Sequence, residues 1–136
     1  MSVHRIWSHK IELTAHACSA SQARAFVTRH LMNHDIADMV NDVQLVVSEL
    51  ATNATLHAQT PFTVVLEASN DVVFLEVRDG SQVGPHLIVA RTLETSGRGV
   101  AIVQALSRCW GVTAGASGGK SVWVEFHIPD ASTPQR

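Results

Sequence analysis

An α+β fold, a mixed and mainly antiparallel sheet with helices on one face, is predicted by three observations. Apolar residues recur at helical spacing through residues 23–31 and 43–50, then switch to strict alternation after Pro61. Helical spacing returns at Val100, Val103 and Leu106. A four-residue step keeps one face of a helix buried, and a two-residue step does the same for a strand. The strands found in this way are joined mostly as hairpins with helices inserted between them, which favours antiparallel pairing.

The elements follow in order. Arg5 to Leu13 reads as an opening strand of modest apolar content. Ser19 or Ser21 is placed to cap a helix reaching about His34, with Ala23, Phe26, Val27 and Leu31 facing inward. Asp35 to Asp38 breaks that pattern, and a long helix follows from about Met39 to His57. Gln59-Thr60-Pro61 stops it, because proline lacks the N–H a helix interior needs. Phe62, Val64, Leu66 and Ala68, then Val73, Leu75 and Val77, flank the turn Ser69-Asn70-Asp71 as a β-hairpin. Arg78 to Ser96 is the longest irregular connection, and such a loop in a small domain is usually functional or disordered. A third helix runs from near Gly97 to about Cys109, and two strands, 110–114 and one through Val122, Val124, Phe126 and Ile128, close the chain. Residues 1–130 form one domain in this reading, and 131–136 a flexible tail.

Composition narrows the function. With 136 residues and 46% apolar content the chain can build a real core, which excludes a disordered polypeptide. A net charge of −2 gives no basic footprint for nucleic acid. Cys18 and Cys109 have no metal-ligand spacing and are expected as buried free thiols of a reducing cytoplasm. Met1 to Lys10 lacks the apolar core of a signal peptide, and no run reaches membrane-spanning length, so a soluble cytoplasmic protein is expected.

Three short stretches can carry chemistry. Glu49, Asn53 and His57 stand four apart, forming a polar stripe beside Val43, Val46, Val47 and Leu50. An acid and an amide side by side suit Mg²⁺, which keeps several waters and leans on substrate phosphates. The stripe alone also fits the solvated face of an amphipathic helix. Asp79-Gly80 stands at a strand exit, where the carboxylate can accept from an amino group such as adenine's and Gly80 lets a base approach. An ordinary turn explains the same dipeptide. Gly97-Arg98-Gly99-Val100 opens an apolar helix, so its N–H groups can face an anion while Arg98 adds a charged contact.

Other candidates carry less. Gly115-Ala116-Ser117-Gly118-Gly119-Lys120-Ser121 approaches a phosphate-binding P-loop, but its first glycine is one residue too close and a strand follows. It reads as a hairpin loop, with Lys120 at most a peripheral contact. His30 and His34 could bind a metal but lack an evident third ligand, so a solvated helix end fits them better. Neither Ser107 nor Cys109 has a base nearby in sequence for nucleophilic catalysis.

Together the three stretches resemble the N box and the two glycine boxes of the GHKL (histidine-kinase-like, Bergerat-fold) ATPases. The likeness is closest to the anti-sigma-factor serine/threonine kinases and their actinobacterial relatives. It runs from about Ala15 to Pro129 and includes Ser48-Glu49-Leu50-Ala51-Thr52-Asn53-Ala54, Arg78-Asp79, Gly97-Arg98-Gly99-Val100, Arg108-Cys109-Trp110-Gly111-Val112 and Gly119-Lys120-Ser121-Val122-Trp123. The resemblance implies a two-layer sandwich binding ATP and Mg²⁺, under a lid spanning Gln82 to Thr95. Carried over by position, Asn53 binds Mg²⁺ and Glu49 is the base that activates a serine or threonine hydroxyl. Asp79 and Gly80 take the adenine, Gly97, Arg98, Gly99 and Val100 line the phosphates, and His57 joins the nucleotide-binding set. The implied partners are a sigma factor and a STAS-domain antagonist, and the resemblance also allows a homodimer. Many relatives carry Asp-x-Gly where this chain has Asp79-Gly80-Ser81, which favours an alternative: a weak or inactive ATP-binding module that sequesters a partner. The intact Glu49 favours catalysis.

Overall fold

The computed structural model describes residues 6–80, 97–115 and 118–129. The elements are β1 (Trp7–Leu13), α1 (Ser19–Asn33), a 3-10 turn (Ala37–Met39), α2 (Val40–Asn53), a π-helical turn (Ala54–Ala58), β2 (Phe62–Ala68), β3 (Val72–Asp79), α3 (Gly97–Leu106), β4 (Cys109–Ala114) and β5 (Lys120–His127). Five strands form one sheet in the order β1-β2-β3-β5-β4, and every pairing is antiparallel. The mixed sheet allowed by the sequence is therefore a fully antiparallel one among the described strands. The crossover through α3 takes the chain from β3 to the far edge, and β5 then returns between β3 and β4.

Alternation along the strands decides what the helices cover. Val73, Leu75 and Val77 of β3 and Val122, Val124 and Phe126 of β5 are buried in the core with Phe26, Val27 and Leu31 of α1 and Val43, Val46, Val47 and Leu50 of α2. On the other face Phe74 stacks near Trp123, and Gly111 leaves room for the indole, since a Cβ there would lie 2.6 Å from it. Cys18 and Cys109 are both exposed, which corrects the expectation of buried thiols. One precedes α1 and the other begins an edge strand, so neither sits at a core position.

The breaks between helices have local causes. Asp35 adopts a left-handed backbone with φ 62°. Its N–H donates to the Met32 carbonyl and that of Ile36 to the Leu31 carbonyl, the paired bonds of a Schellman motif. Leu31 and Ile36 are both buried, supplying the apolar contact that accompanies the motif. At the other end, Ser19 does not cap α1 with its side chain; its hydroxyl instead donates to the Thr14 carbonyl. Arg24 donates to the Ser48 hydroxyl (2.9 Å) and Gln44 to the Thr28 hydroxyl (2.7 Å), joining α1 to α2 beside the apolar seam.

A histidine cluster ties β1 to α1. The Nε2 atoms of His9 and His34 lie 3.0 Å apart, His30 stacks on His9 with centroids at 3.8 Å, and Trp7 stacks on His34 at 4.0 Å. The His9–His34 contact is a hydrogen bond only while one of those nitrogens lacks a proton. Burial, then the His9, Arg29 and His34 charges, hold His30 below its ordinary range. Burial and His9 also lower His34, with Asp35 acting in the opposite direction. Groups lowered by folding contribute stability that is full above the unfolded pKa near 6.5 and is lost as pH falls through the folded values. The urea midpoint is therefore expected to drop as pH falls below about 6.5, and less steeply in His34→Gln. Equal slopes in the two proteins would contradict this origin.

Candidate functional site

Buried polar side chains stand on α2, at Glu49 and Asn53, and at the end of the β3–β5 pair, at Asp79 and Lys120. Glu49 and Asn53, one turn apart on α2, are only 9% and 6% exposed, so the stripe is not a solvated helix face. An acid this buried is uncommon unless it is partnered or functional. Helix α2 packs against both β3 and α3. Beyond Asn53 the helix widens into the π turn, closed by Gln59 N–H donating to the Ala54 carbonyl. The four-residue step that would stack His57 above Asn53 therefore ends at Asn53, and the His57 side chain lies outside the described residues. Single π turns inside α-helices are frequent at functional sites.

Asp79 ends β3 with its side chain 2% exposed, and its register partner across the strands is Lys120. The Lys120 ammonium lies 3.6 Å from an Asp79 carboxylate oxygen, and its own side chain is 5% exposed. Lys120 is thus a buried member of the site and not the peripheral contact read from the sequence. The glycine run before it makes this possible. Gly119 has φ +83°, and a Cβ there would lie 2.5 Å from the Asp79 carbonyl oxygen. Gly115 and Gly119 close the loop by a backbone hydrogen bond of 3.0 Å, so the run is a hairpin loop and not a P-loop. Gly119→Ala is expected to cost about 1–3 kcal/mol through backbone strain, read as a lower urea midpoint. An unchanged midpoint would show that Asp79 and β5 separate freely.

Gly80 donates its backbone N–H to the Thr60 hydroxyl at 2.9 Å, pinning the end of β3 to the segment after the π turn. Thr60 was not singled out by the sequence; its only signal was its place in the helix-stopping Gln59-Thr60-Pro61. Lys120 did carry a signal. It stands two and four residues before Val122 and Val124, and period two puts it on their inward face.

A cavity of about 440 Å³ adjoins this end of the sheet on the Phe74–Trp123 face, turned away from α2, and is lined by Glu76, Arg78, Thr113 and Ser121 and by the strand ends at Asp79 and Lys120. Arg78 pairs with the Glu76 carboxylate at 3.0 Å, and the Ser121 hydroxyl donates to the same group. Gly97–Val100 form the first turn of α3, as the glycine-led helix start predicts. The side chains of Arg98 and Val100, and the whole loop 81–96 with the proposed lid, lie outside the described residues.

The family model of the histidine kinase-like ATPase domain matches residues 13–126. The chain belongs to this family. The match spans the end of β1 to β5 and so takes in every element that positions the site. As a histidine kinase-like ATPase domain it is an ATP-binding module. Glu49 and Asn53 lie buried on α2, and Asp79 lies buried at the end of β3. No curated protein matches the chain. No helix among the described residues is long and apolar enough to cross a membrane.

The residues present suit ATP with a hard cation. No group of three or more His, Cys, Asp or Glu among the described residues is placed to hold a metal ion. A cation here would lean on nucleotide oxygens and water with one or two protein ligands, which is how Mg²⁺ is commonly held. Asn53, buried and one turn from Glu49, is the residue suited to supply that oxygen.

Proposed function

We propose that this histidine kinase-like ATPase domain is a serine/threonine protein kinase of the anti-sigma-factor type, working in the cytoplasm. It would phosphorylate a STAS-domain antagonist and sequester a sigma factor when that antagonist is removed. The observation that carries the reading is the buried Glu49 one helical turn before the buried Asn53. A carboxylate held beside the cation-binding amide stands where a base for an incoming hydroxyl is needed.

ATP with Mg²⁺, when bound, supplies the phosphoryl group and neutralises the charge that develops on it. The residues do the rest. Asn53 contributes its amide oxygen to the cation, and Asp79 accepts a hydrogen bond from the base amino group. The N–H groups opening α3 at Gly97–Val100 face the phosphates, where the helix dipole favours negative charge. Glu49 orients the incoming serine or threonine hydroxyl and accepts its proton. Phosphoryl transfer asks chiefly for such positioning, and little covalent chemistry is required of the protein.

The experiment is phosphotransfer from ATP labelled at the γ-phosphate to purified STAS-domain proteins of the same organism. Label on a serine or threonine of one of them, with release of a co-purified sigma factor before phosphorylation, is expected. ATP binding without transfer to any of them would leave the sequestering module as the better account.

A further inference from the structure

The Asp79–Lys120 pair is more than a fixed strut. Both side chains are buried, on paired positions of neighbouring strands, with the ammonium 3.6 Å from the carboxylate. The approach relies on a glycine at 119 whose backbone no other residue adopts easily and whose Cβ would strike the Asp79 carbonyl. Burying such a pair involves a desolvation penalty that apolar residues of similar size would avoid, so stability alone is a weak reason for it.

We propose that Lys120 reads the nucleotide base together with Asp79, and that the site takes 6-oxopurine nucleotides as well as ATP. This rests on the reading of Asp79 as the base-binding carboxylate. A carboxylate alone can only accept hydrogen bonds. It suits the 6-amino group of adenine and repels the O6 of hypoxanthine or guanine. A carboxylate with an ammonium beside it offers an acceptor and a donor together. Adenine presents its amino donor next to the N1 acceptor, so Asp79 takes the first and Lys120 the second. Hypoxanthine and guanine present the O6 acceptor next to the N1–H donor. Lys120 then donates to O6 while Asp79 accepts from N1–H. The pair answers both edges with a shift of the base and no change of residue.

The test is calorimetric titration of the full chain with ATP and with inosine triphosphate, beside Lys120→Met and Lys120→Arg, each checked for folding by circular dichroism. In the wild type, inosine triphosphate is expected to bind within about tenfold of ATP. Because Lys120 donates to N1 of adenine and to O6 of hypoxanthine alike, Lys120→Met should weaken both nucleotides by about ten- to a hundredfold, while Lys120→Arg stays near the wild type. Wild-type discrimination of more than a hundredfold against inosine triphosphate overturns the proposal even if Lys120→Met fails to fold. Undiminished affinity for both nucleotides in folded Lys120→Met also overturns it, and leaves ATP recognition by Asp79 intact. A wild type that binds neither nucleotide defeats the underlying ATP reading, and this inference with it.

Discussion

Replacing Glu49 by glutamine is expected to slow phosphotransfer at least about 100-fold while leaving ATP affinity within about threefold. The reasoning is specific to the proton. Glutamine keeps the size and the hydrogen-bonding oxygen of the buried side chain, so the packing of α2 against β3 and α3 is retained. What is lost is the basic oxygen that takes the hydroxyl proton as the phosphate bond forms. Transfer assays at saturating ATP separate the two effects, because binding and chemistry then report independently. Undiminished transfer in Glu49→Gln would remove Glu49 from the chemistry.

Asp79→Ala is expected to have a double effect. Removing one partner of a buried ion pair takes from Lys120 the carboxylate 3.6 Å away, which typically costs about 3–5 kcal/mol. The same change removes the acceptor for the base, so ATP binding should weaken as well. The double variant Asp79→Ala/Lys120→Met separates these effects. It removes both charges, so most of the stability should return, whereas ATP affinity should stay low. Such non-additivity is what two residues in direct contact produce. If the double variant is as unstable as Asp79→Ala, the pair does not dominate the stability of that corner. If it binds ATP like the wild type, Asp79 does not read the base.

Much of the fold was legible because local patterns and tertiary packing agree. The switch from helical spacing to alternation at Pro61 locates the boundary between the α2 region and the first hairpin. Gly97 marks the start of α3 as predicted. Non-local facts were harder to read. That β5 inserts between β3 and β4 is a pairing between segments far apart in sequence, and no local pattern specifies it. The π turn at Ala54–Ala58 has a composition as suitable for an α-helix, so the expected helix to His57 was regular to its end. The left-handed Asp35 explains a break that the sequence showed only as a loss of pattern.

The site was legible in its helix and strand ends and less so where residues meet across elements. Glu49, Asn53 and Asp79 belong to short patterns with a chemical reason. Lys120 has an inward period-two position, but its glycine-rich flank resembles a phosphate loop, and the register that sets it opposite Asp79 is non-local. His30 and His34 looked like a solvated helix end because their partners, His9 and Trp7, arrive from β1 on the edge of the sheet.

The most direct test of a working ATP site is calorimetric titration with ATP, with and without Mg²⁺, of the wild type and Asn53→Ala. The account predicts that Mg²⁺ strengthens ATP binding in the wild type and that Asn53→Ala loses this enhancement. No ATP binding by the folded wild type, or an Mg²⁺ enhancement equal in Asn53→Ala, would contradict it.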